Sequence, residues 1–568
     1  MWSNEPTQPD QPLLTTSDAG AVGISGYLHG AVPAPKDLTS GPAPRVGGVW
    51  SLFGASTEGV AALTCASGAE VVFYAETPDF VVVGNRALLV HLIATPTGPE
   101  ADLIGLSGVL NSGYCVTTRT AFRGVRALSV GERFCCDASG AVTIAAYDAE
   151  TAPATAAEVA EALIASVAPL RNIDRPVLLG LTGGRDSRLL VALLTSAEVP
   201  VTTYTAGRSD DPDVIVAHEV AARLGIASHK VSPPRGATVV DDTLTVDVRA
   251  RLREAVVLGE GMLSAYDRVG RIDDSYNART VPFGGSGGEI LRAYYAGSLK
   301  DLNDVSAAIR YMKGRLYSAA KRMARGARAE YESDTAHWMD AAAAQGASSL
   351  EDFYVRQRAA RWTGAARSSA SIGSLARRPF LDHLVVDAVR RVPLGDRTSE
   401  RLIADLLDVL APELKHVRFA GRRWKFDEVP PSDAAARAEW KARAPVHGAH
   451  GDEASFNWRT DLTEVRRELA SIITSAPPSF WELADRKKVT DFLSPLDGRS
   501  RADTVKMWHL ATVADALAND FYASPAKFDV GDTDVVALLS VTRVERLVAT
   551  IKASLRRFAK RLRDRRRF

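Results

Sequence analysis

The sequence predicts an α/β fold: a doubly wound parallel sheet that follows a β-rich region and precedes a large helical part. Three observations support this prediction. Residues 155–297 alternate between helical and strand patterns, which is typical of a parallel sheet with helices on both faces. Residues 46–150 contain short β-branched and aromatic runs separated by Gly, Pro and Asp. The remainder, from about residue 300 to 568, is rich in Ala and Arg with helical periodicity.

Composition excludes several classes of protein. The 568 residues include 69 Lys and Arg against 68 Asp and Glu, so a strongly basic nucleic-acid coat is excluded and nucleic acid is not an expected partner. Four cysteines in a chain of this length cannot define a disulfide scaffold. No apolar run approaches the ~20 residues of a membrane-spanning helix. The first residues have neither a basic start nor an apolar core, so we expect a cytoplasmic protein.

The two ends of the chain differ in composition. Residues 1–45 are dense in Pro, Gly and Ser, which favours an extended, mobile segment. Near the C-terminus an apolar stripe recurs at helical spacing, formed by Leu547, Val548, Ile551, Leu555, Phe558 and Leu562. Basic residues cover the other faces. We favour a solvated terminal helix that docks by its stripe over a surface for RNA, an acidic peptide or anionic lipid.

A glycine-rich turn carries the clearest chemical signal. Residues 177–181 form an apolar strand pattern, residues 182–187 read Thr-Gly-Gly-Arg-Asp-Ser, and a helical pattern follows. The glycines let backbone N–H groups face a phosphate, and the helix N-terminus adds partial positive charge. Thr182 and Ser187 can donate hydroxyl hydrogen bonds, whereas Asp186 suits a Mg²⁺ ion held on a polyphosphate. The G-x-x-x-x-G-K-[ST] spacing is absent. The alternative is a plain structural turn.

These residues resemble a known family. Ser/Thr-Gly-Gly-x-Asp-Ser after a strand is similar to the pyrophosphate loop of N-type ATP pyrophosphatases. Three further blocks resemble the asparagine-synthetase-like branch: the D…A…A…G…H pattern of Asp213, Ala217, Ala221, Gly225 and His229; residues 281–294, which resemble Gly-x-Gly-x-Asp-Glu-x-x-x-x-Tyr; and residues 377–382, which resemble Arg-x-Pro-Phe-Leu-Asp. The order and spacing of the four blocks make the likeness specific.

The resemblance implies an ATP pyrophosphatase domain at residues 155–430, with a helical extension at 431–568. It implies ATP and Mg²⁺ as cofactors. The nucleotide-binding residues that it implies are Leu181, Thr182, Gly183, Gly184, Asp186, Ser187, Gly285, Ser286 and Gly287.

The N-terminal region resembles the second half of a glutaminase domain. The likeness covers residues 79–92 and 122–134 and assigns residues 46–150 to a degenerate glutaminase-like domain. Such domains use a Cys directly after the initiator Met as nucleophile. Here that position is Trp2, and no Cys occurs among the first 64 residues. We therefore expect glutaminase activity to be absent. The four cysteines, Cys65, Cys115, Cys135 and Cys136, are expected to be small buried hydrophobes.

The sequence departs from the family pattern in the second loop and in the helical part. The family's second-loop Asp, which shares Mg²⁺ with the first-loop Asp, aligns with Gly288 and leaves Glu289 as the candidate ligand and catalytic residue. The position of the family's base falls on Gly285 or Ser286, and neither is a plausible base. Arg401 and Lys425 are candidates for the family's charge-stabilising Lys, although cations are common in this region.

The implied reaction adenylates a carboxylate with release of pyrophosphate, after which an amine attacks to give an amide and AMP. The amine would come from the substrate itself, a second substrate or free ammonia. β-Lactam synthetases and lasso-peptide macrolactam synthetases are similar cases. The expected partners are a small-molecule or peptide carboxylate and a peptide-carrying protein.

Alternatives from other classes stay open. Residues 284–288 fit the G-x-S-x-G pattern of a serine hydrolase that uses Ser286 with Asp382 and His416 or His447. A non-catalytic nucleotide-binding partner would explain the missing Asp and base. A tRNA-modifying pyrophosphatase is a weaker alternative. The histidines at 447 and 450, near the acidic residues 452 and 453, favour a solvated loop over a metal site.

Overall fold

The computed structural model describes residues 7–8, 11–518 and 539–541, apart from gaps at 40–41, 43, 96, 99, 148–149, 228, 233–238, 241–242, 268–279, 368–375, 449–456 and 497–498. The predicted C-terminal amphipathic helix lies outside the described residues, as do residues 450, 452 and 453 of the histidine-containing loop.

An antiparallel sheet of six strands forms the N-terminal region. In spatial order its strands are Val142–Ala146, Glu132–Asp137, Gly59–Thr64, Gly47–Ser56, Gly20–His29 and Leu14–Ser17. The expectation of a mobile segment over residues 1–45 is wrong for residues 14–29, because Gly20–His29 pairs along its length with Gly47–Ser56 and most of its residues are buried. The Pro-rich stretch that suggested mobility instead connects these two strands and includes the short helix Pro35–Thr39.

A smaller layer lies beside this sheet. Its three strands are Val81–Gly84, Phe73–Glu76 and Arg126–Ala127, and they are antiparallel. Two helices, Ala87–Ala94 and Leu103–Ser112, interrupt the region that the sequence predicts to be rich in strands. Asp102 begins the second helix by accepting from the backbone N–H groups of Ile104 and Gly105.

A four-stranded parallel sheet follows in the chain. Its spatial order is His229–Ser232, Val201–Ala206, Val177–Gly180 and Val281–Phe283. The connecting helices, together with the helix that precedes the sheet, are Ala156–Val167, Arg185–Ser196, Pro212–Arg223 and Val248–Leu258. This confirms the predicted α/β fold with a β-rich N-terminal region. Val177, Leu179 and Thr203 are buried in the two central strands, whereas Lys230 and Val231 of the edge strand His229–Ser232 are exposed.

The rest of the described chain is mostly helical. Its helices are Gly288–Leu291, Val305–Leu316, Arg325–Asp334, Ala336–Gln345, Ala347–Phe353, Tyr354–Trp362 (a π-helix), Thr363–Arg367, His383–Arg391, Leu394–Thr398, Arg401–Leu410, Ala434–Ala442, Trp458–Asp461, Thr463–Thr474, Pro478–Leu483, Arg486–Leu493 and Arg501–Ala518, with short 3₁₀ turns between them. A short strand, Leu539–Val541, pairs with Thr243–Val246.

The last long helix of the described chain is part of the core. Arg501–Ala518 packs against Leu103–Ser112, Val248–Leu258 and Thr463–Thr474, and Trp508 at its centre is fully buried. Residues 431–518 therefore join the preceding regions through a shared apolar core. None of the helices in the described ranges is long and apolar enough to cross a membrane.

Candidate nucleotide site

The first loop, residues 181–184, lies at the carboxyl end of a central strand of the parallel sheet. The side chains of Val177 and Leu179 are buried beneath it, and the helix Arg185–Ser196 begins directly after it. A ligand at this point would meet the N-terminus of that helix, which favours negative charge. This is the position at which open parallel sheets commonly bind their ligands.

Two hydroxyl groups hold the first loop in its turn. The Ser187 side chain accepts from the backbone N–H of Thr182 at 3.1 Å, and the two hydroxyl oxygens lie 3.0 Å apart. The Thr182 hydroxyl also accepts from the N–H of Gly184 at 3.1 Å. We expected these hydroxyls to face phosphate. In the structure they bond the loop itself, so they shape the cradle.

Asp213 fixes the loop from the neighbouring helix. Its Oδ1 accepts from the backbone N–H of Gly183 at 2.9 Å. Gly183 also lies so close to Ala420 that a β-carbon at position 183 would overlap that side chain. Glycine is required here because two elements meet at its Cα. The sequence pattern included Asp213, but its contact with the loop could not be predicted from spacing.

The first loop opens onto a pocket of about 450 Å³. Its wall is formed by Leu179, Gly180, Thr182, Gly184, Arg185, Asp186, Ser187, Leu190, Tyr204, Phe283, Gly284, Gly285 and Arg292. Five of the nine predicted nucleotide-binding residues line it. The other four are not part of this wall: they are Leu181, which is fully buried, Gly183, Ser286 and Gly287.

An acidic pair surrounds Arg292: Asp186 lies in the pocket wall, and Glu289 lies beside that arginine. Arg292 Nη2 lies 3.4 Å from Asp186 Oδ2 and 3.9 Å from Glu289 Oε1. Burial raises the pKa of the Asp186 carboxyl, and the neighbouring Glu289 adds to the effect while Arg292 opposes it. A carboxylate whose charge is disfavoured in this way gains from a cation that arrives with the ligand.

These two carboxylates fit a magnesium site completed by a substrate. Both oxygens approach one nitrogen of Arg292, so both border a single point. Mg²⁺ is typically held by one or two protein carboxylates together with water and substrate phosphates. Within the described parts of the chain, no group of three or more His, Cys, Asp and Glu side chains could hold a metal by itself. Asp186 and Glu289 would therefore share the ion with phosphate oxygens.

Lys425 lies close to the site but is directed elsewhere. Its ammonium donates to the carbonyl oxygens of Gly297 at 2.5 Å and Thr398 at 3.0 Å. Its backbone N–H donates to Glu400 at 2.9 Å, and the same Glu400 pairs with Arg185 of the pocket wall at 3.0 Å. Lys425 is therefore connected to the pocket through Glu400. Glu400 is buried and has a left-handed φ of 63°. Its contacts with Lys425 and Arg185 hold it in this unfavourable backbone conformation.

Arg401 is placed away from the pocket. Its side chain is 68% exposed, its Nε lies 3.4 Å from Asp405, and it lines a second cavity of about 600 Å³. Of the three predicted catalytic residues, only Glu289 lies beside Asp186, as its partner in the carboxylate pair. The sequence analysis did not single out Arg292, although it lies three residues after Glu289 and so on the same side of a helical turn.

The second loop is connected to the N-terminal region. The N–H of Gly284 donates to the carbonyl of Arg377 at 3.1 Å. The Tyr27 hydroxyl accepts from the N–H of Arg378 at 2.9 Å, and the Arg377 guanidinium lies 4.4 Å from the Tyr27 ring centroid. The N-terminal sheet therefore supports the segment that carries one wall of the pocket.

The structure does not assemble the alternative hydrolase triad. Asp382 is buried, its carboxylate accepts from the N–H groups of Gly48 and Leu384, and the histidine beside it is His29, at 4.0 Å. A nucleophile elbow strains the serine itself. Here the left-handed residue is Gly287, with φ of 96°, and Ser286 is not among the positive-φ residues of the described chain.

The histidine and cysteine predictions have mixed outcomes. His447 and His416 are exposed, and neither belongs to a metal cluster in the described chain. Cys65 and Cys115 are buried as predicted, and burial raises the pKa of both thiols, that of Cys115 to about 12. Cys135 and Cys136 are only partly buried, on the strand Glu132–Asp137.

Comparison with known proteins agrees with this geometry. The model of the family described as asparagine synthase matches residues 158–518, which include both loops, the acidic pair and Lys425. The match extends beyond residue 430, where we expected the domain to end. No curated protein matches the chain. The family consists of ATP-dependent, amide-forming C–N ligases. With the family model matching well over half of its length, the chain belongs to the asparagine synthase family.

Proposed function

We propose that this protein forms an amide bond by adenylating a carboxylate, with release of pyrophosphate and then AMP, and without hydrolysing glutamine. The observation that carries the proposal is the pocket at the first loop together with the carboxylate pair of Asp186 and Glu289. Asp186 stands at the start of a helix, beside a glycine cradle fixed by Asp213, and Glu289 faces it across Arg292. A polyphosphate with a divalent cation satisfies all three features at once.

The burial of the cysteines and the pKa values of their thiols support the proposal that the protein does not hydrolyse glutamine. A thiol nucleophile requires a lowered pKa and access to substrate. Burial instead raises the pKa of Cys65, Cys115 and Cys135. We therefore propose that the N-terminal region is a degenerate glutaminase-like domain whose present role includes support of the second loop.

Different residues of the pocket would orient the phosphates and neutralise their charge in the proposed reaction. The first loop and the helix N-terminus orient the phosphates, and Arg292 contributes positive charge. Mg²⁺ bound at Asp186 and Glu289 would neutralise phosphate charge and favour departure of pyrophosphate. Tyr204 and Phe283 provide ring surfaces on the wall. Placement and charge neutralisation account for the activation of the carboxylate, since adenylation itself creates the leaving group.

The amine is proposed to come from the substrate or from a second amine. Intramolecular attack would close a lactam or macrolactam ring, as in the β-lactam and lasso-peptide synthetases that the sequence resembles. A small-molecule or peptide carboxylate is the substrate class, and a peptide substrate would be delivered by a carrier protein.

Calorimetric binding of Mg-ATP tests the nucleotide site without knowledge of the substrate. We expect Asp186→Ala to weaken binding at least about tenfold, because a carboxylate beside the cation is lost. The matched control is Asp340→Ala, which removes an exposed carboxylate from the helix Ala336–Gln345. Equal binding by wild type and Asp186→Ala would contradict the proposed site.

Pyrophosphate release then separates the enzyme from the second candidate, a non-catalytic nucleotide-binding protein. Gly288, where the family pattern has Asp, favours that candidate. AMP and pyrophosphate formation with any of a panel of amino-acid and peptide carboxylates excludes it. Asp186-dependent binding of Mg-ATP without AMP formation across the panel would favour it.

A further inference from the structure

The pocket wall contains fewer available cations than a polyphosphate would need. Among the described residues that line it, Arg185 and Arg292 carry positive charge. Arg185 Nε lies 3.0 Å from Oε1 of Glu400, whose side chain is only 5% exposed; this contact is an ion pair, since the Arg185 Nε, like that of Arg292, has no hydrogen-bond partner in the described structure. Separating a buried ion pair leaves an uncompensated carboxylate, so Arg185 is committed to that contact. Arg292 is the remaining cation of this wall.

Arg292 is held loosely enough to take a ligand. Its single hydrogen bond in the described structure, to Asp186, is long at 3.4 Å, and its contact with Glu289 is 3.9 Å. Its Nε is buried and has no hydrogen-bond partner. A guanidinium carries five N–H donors, so most of its capacity is unused. The side chain is 16% exposed and lies 5.2 Å from the Tyr294 ring centroid, which restricts its plane.

The neighbouring glycine explains why a cationic side chain is needed here. A β-carbon on Gly288 would lie 2.5 Å from Asp186 Cγ, so position 288 cannot carry the second-loop carboxylate of the family pattern while Asp186 keeps its place. The site therefore has no carboxylate at position 288, directly against Asp186, and Glu289 is left as the second candidate metal ligand. Part of the phosphate charge must be neutralised by another group.

We propose that Arg292 binds the pyrophosphate moiety of ATP directly and neutralises phosphate charge that a metal ion held by a second-loop carboxylate would otherwise neutralise. The inference rests on the proposed nucleotide site and deepens it. Arginine forms paired, charge-assisted hydrogen bonds with phosphate oxygens. The Nε of Arg292, which has no acceptor, and its terminal nitrogens suit that geometry. On ligand arrival the guanidinium exchanges its long bond to Asp186 for phosphate oxygens, and Asp186 becomes free for Mg²⁺.

The inference predicts phosphate binding that does not need metal. We would titrate the full-length protein with inorganic pyrophosphate in excess EDTA, using calorimetry. Wild type is expected to bind, and Arg292→Gln is expected to bind at least about tenfold more weakly. Arg292→Lys keeps the charge without the fork of donors and is expected to fall between them. Arg310→Gln, at a 69% exposed arginine, is the matched control and should equal wild type.

A second titration distinguishes this inference from the proposed function. Mg-ATP binding that depends on Asp186 establishes the nucleotide site independently. Given that result, wild type that fails to bind pyrophosphate in EDTA, or Arg292→Gln that binds it like wild type, overturns the role of Arg292 alone. If wild type binds neither Mg-ATP nor pyrophosphate, both proposals fall. Thermal unfolding of each variant identifies any that is misfolded, and Arg292→Lys then provides the decisive comparison.

Discussion

Restoring the family's second-loop aspartate is expected to damage the site. A β-carbon at position 288 would lie 2.5, 2.7 and 2.8 Å from Asp186 Cγ, Oδ1 and Oδ2. Carbon atoms prefer a separation of about 3.5 Å, so Asp186 would have to move by about 1 Å. Overpacking of this kind costs about 1–3 kcal/mol of unfolding free energy. In Gly288→Asp the added carboxylate also repels Asp186.

Urea unfolding and Mg-ATP calorimetry measure the two consequences. We expect Gly288→Asp to lower the unfolding free energy by about 1–3 kcal/mol and to weaken Mg-ATP binding about tenfold or more. Gly288→Ala has the clash without the charge and should lose less affinity. Gly314→Ala, in the helix Val305–Leu316 with open space at its β-carbon, should leave binding unchanged. Tighter Mg-ATP binding by Gly288→Asp at unchanged stability would refute the reasoning.

Three further predictions concern the support of the two loops and the contacts of the N-terminal region. Asp213→Ala should weaken Mg-ATP binding severalfold because the Gly183 N–H loses its acceptor, whereas Asp213→Asn should retain most affinity; equal loss in both would contradict this. Burial lowers the pKa of His383 to about 4, so unfolding takes up a proton between pH 6.5 and 4, and stability falls as pH falls. Lowering the pH from 7 to 5 is expected to reduce the free energy of unfolding by about 2 kcal/mol through this residue. In urea titrations at the two pH values, the free energy of unfolding of His383→Gln should therefore depend less on pH than that of wild type. Tyr27→Phe removes the hydroxyl that accepts from the N–H of Arg378, a hydrogen bond worth about 1 kcal/mol, so it should lower Tm and reduce Mg-ATP affinity. An unchanged affinity would show that the N-terminal sheet does not support the second loop.

Local patterns predicted the parallel sheet well. The runs that became Val177–Gly180, Val201–Ala206 and His229–Ser232 are short, contain β-branched or aromatic residues and are separated by helical periodicity, so each strand is specified within its own segment. The first loop was predictable for the same reason, because strand, glycine turn and helix start are contiguous. Pairing of Gly20–His29 was missed because its flanking prolines dominate the local composition, whereas its burial depends on Gly47–Ser56.

The residues that tune the pocket were harder to predict. Asp213, Arg292 and Glu400 reach the first loop and the start of its helix from 30, 106 and 215 positions away, through contacts with Gly183, Asp186 and Arg185. No spacing rule within one segment identifies such partners. Lys425 illustrates the converse: its sequence context suggested a catalytic cation, but its ammonium is held by two backbone carbonyls. Arg401 begins a helix, and the sequence alone does not show whether its side chain faces the pocket or solvent.

The departures in the second loop are physically consistent with one another, which argues against simple loss of the site. Gly288 leaves the space that Asp186 occupies, and Glu289 and Arg292 both approach that carboxylate. A buried guanidinium with unsatisfied donors lowers the stability of the fold. If the site had lost its ligand, nothing would favour keeping such a group beside two acids. The first loop likewise keeps the bond from Gly183 to Asp213. A bound polyphosphate would engage the idle donors of Arg292 and offset the raised pKa of Asp186 in one step, and this favours a ligand-binding site that has redistributed its charges over one that has lost its ligand.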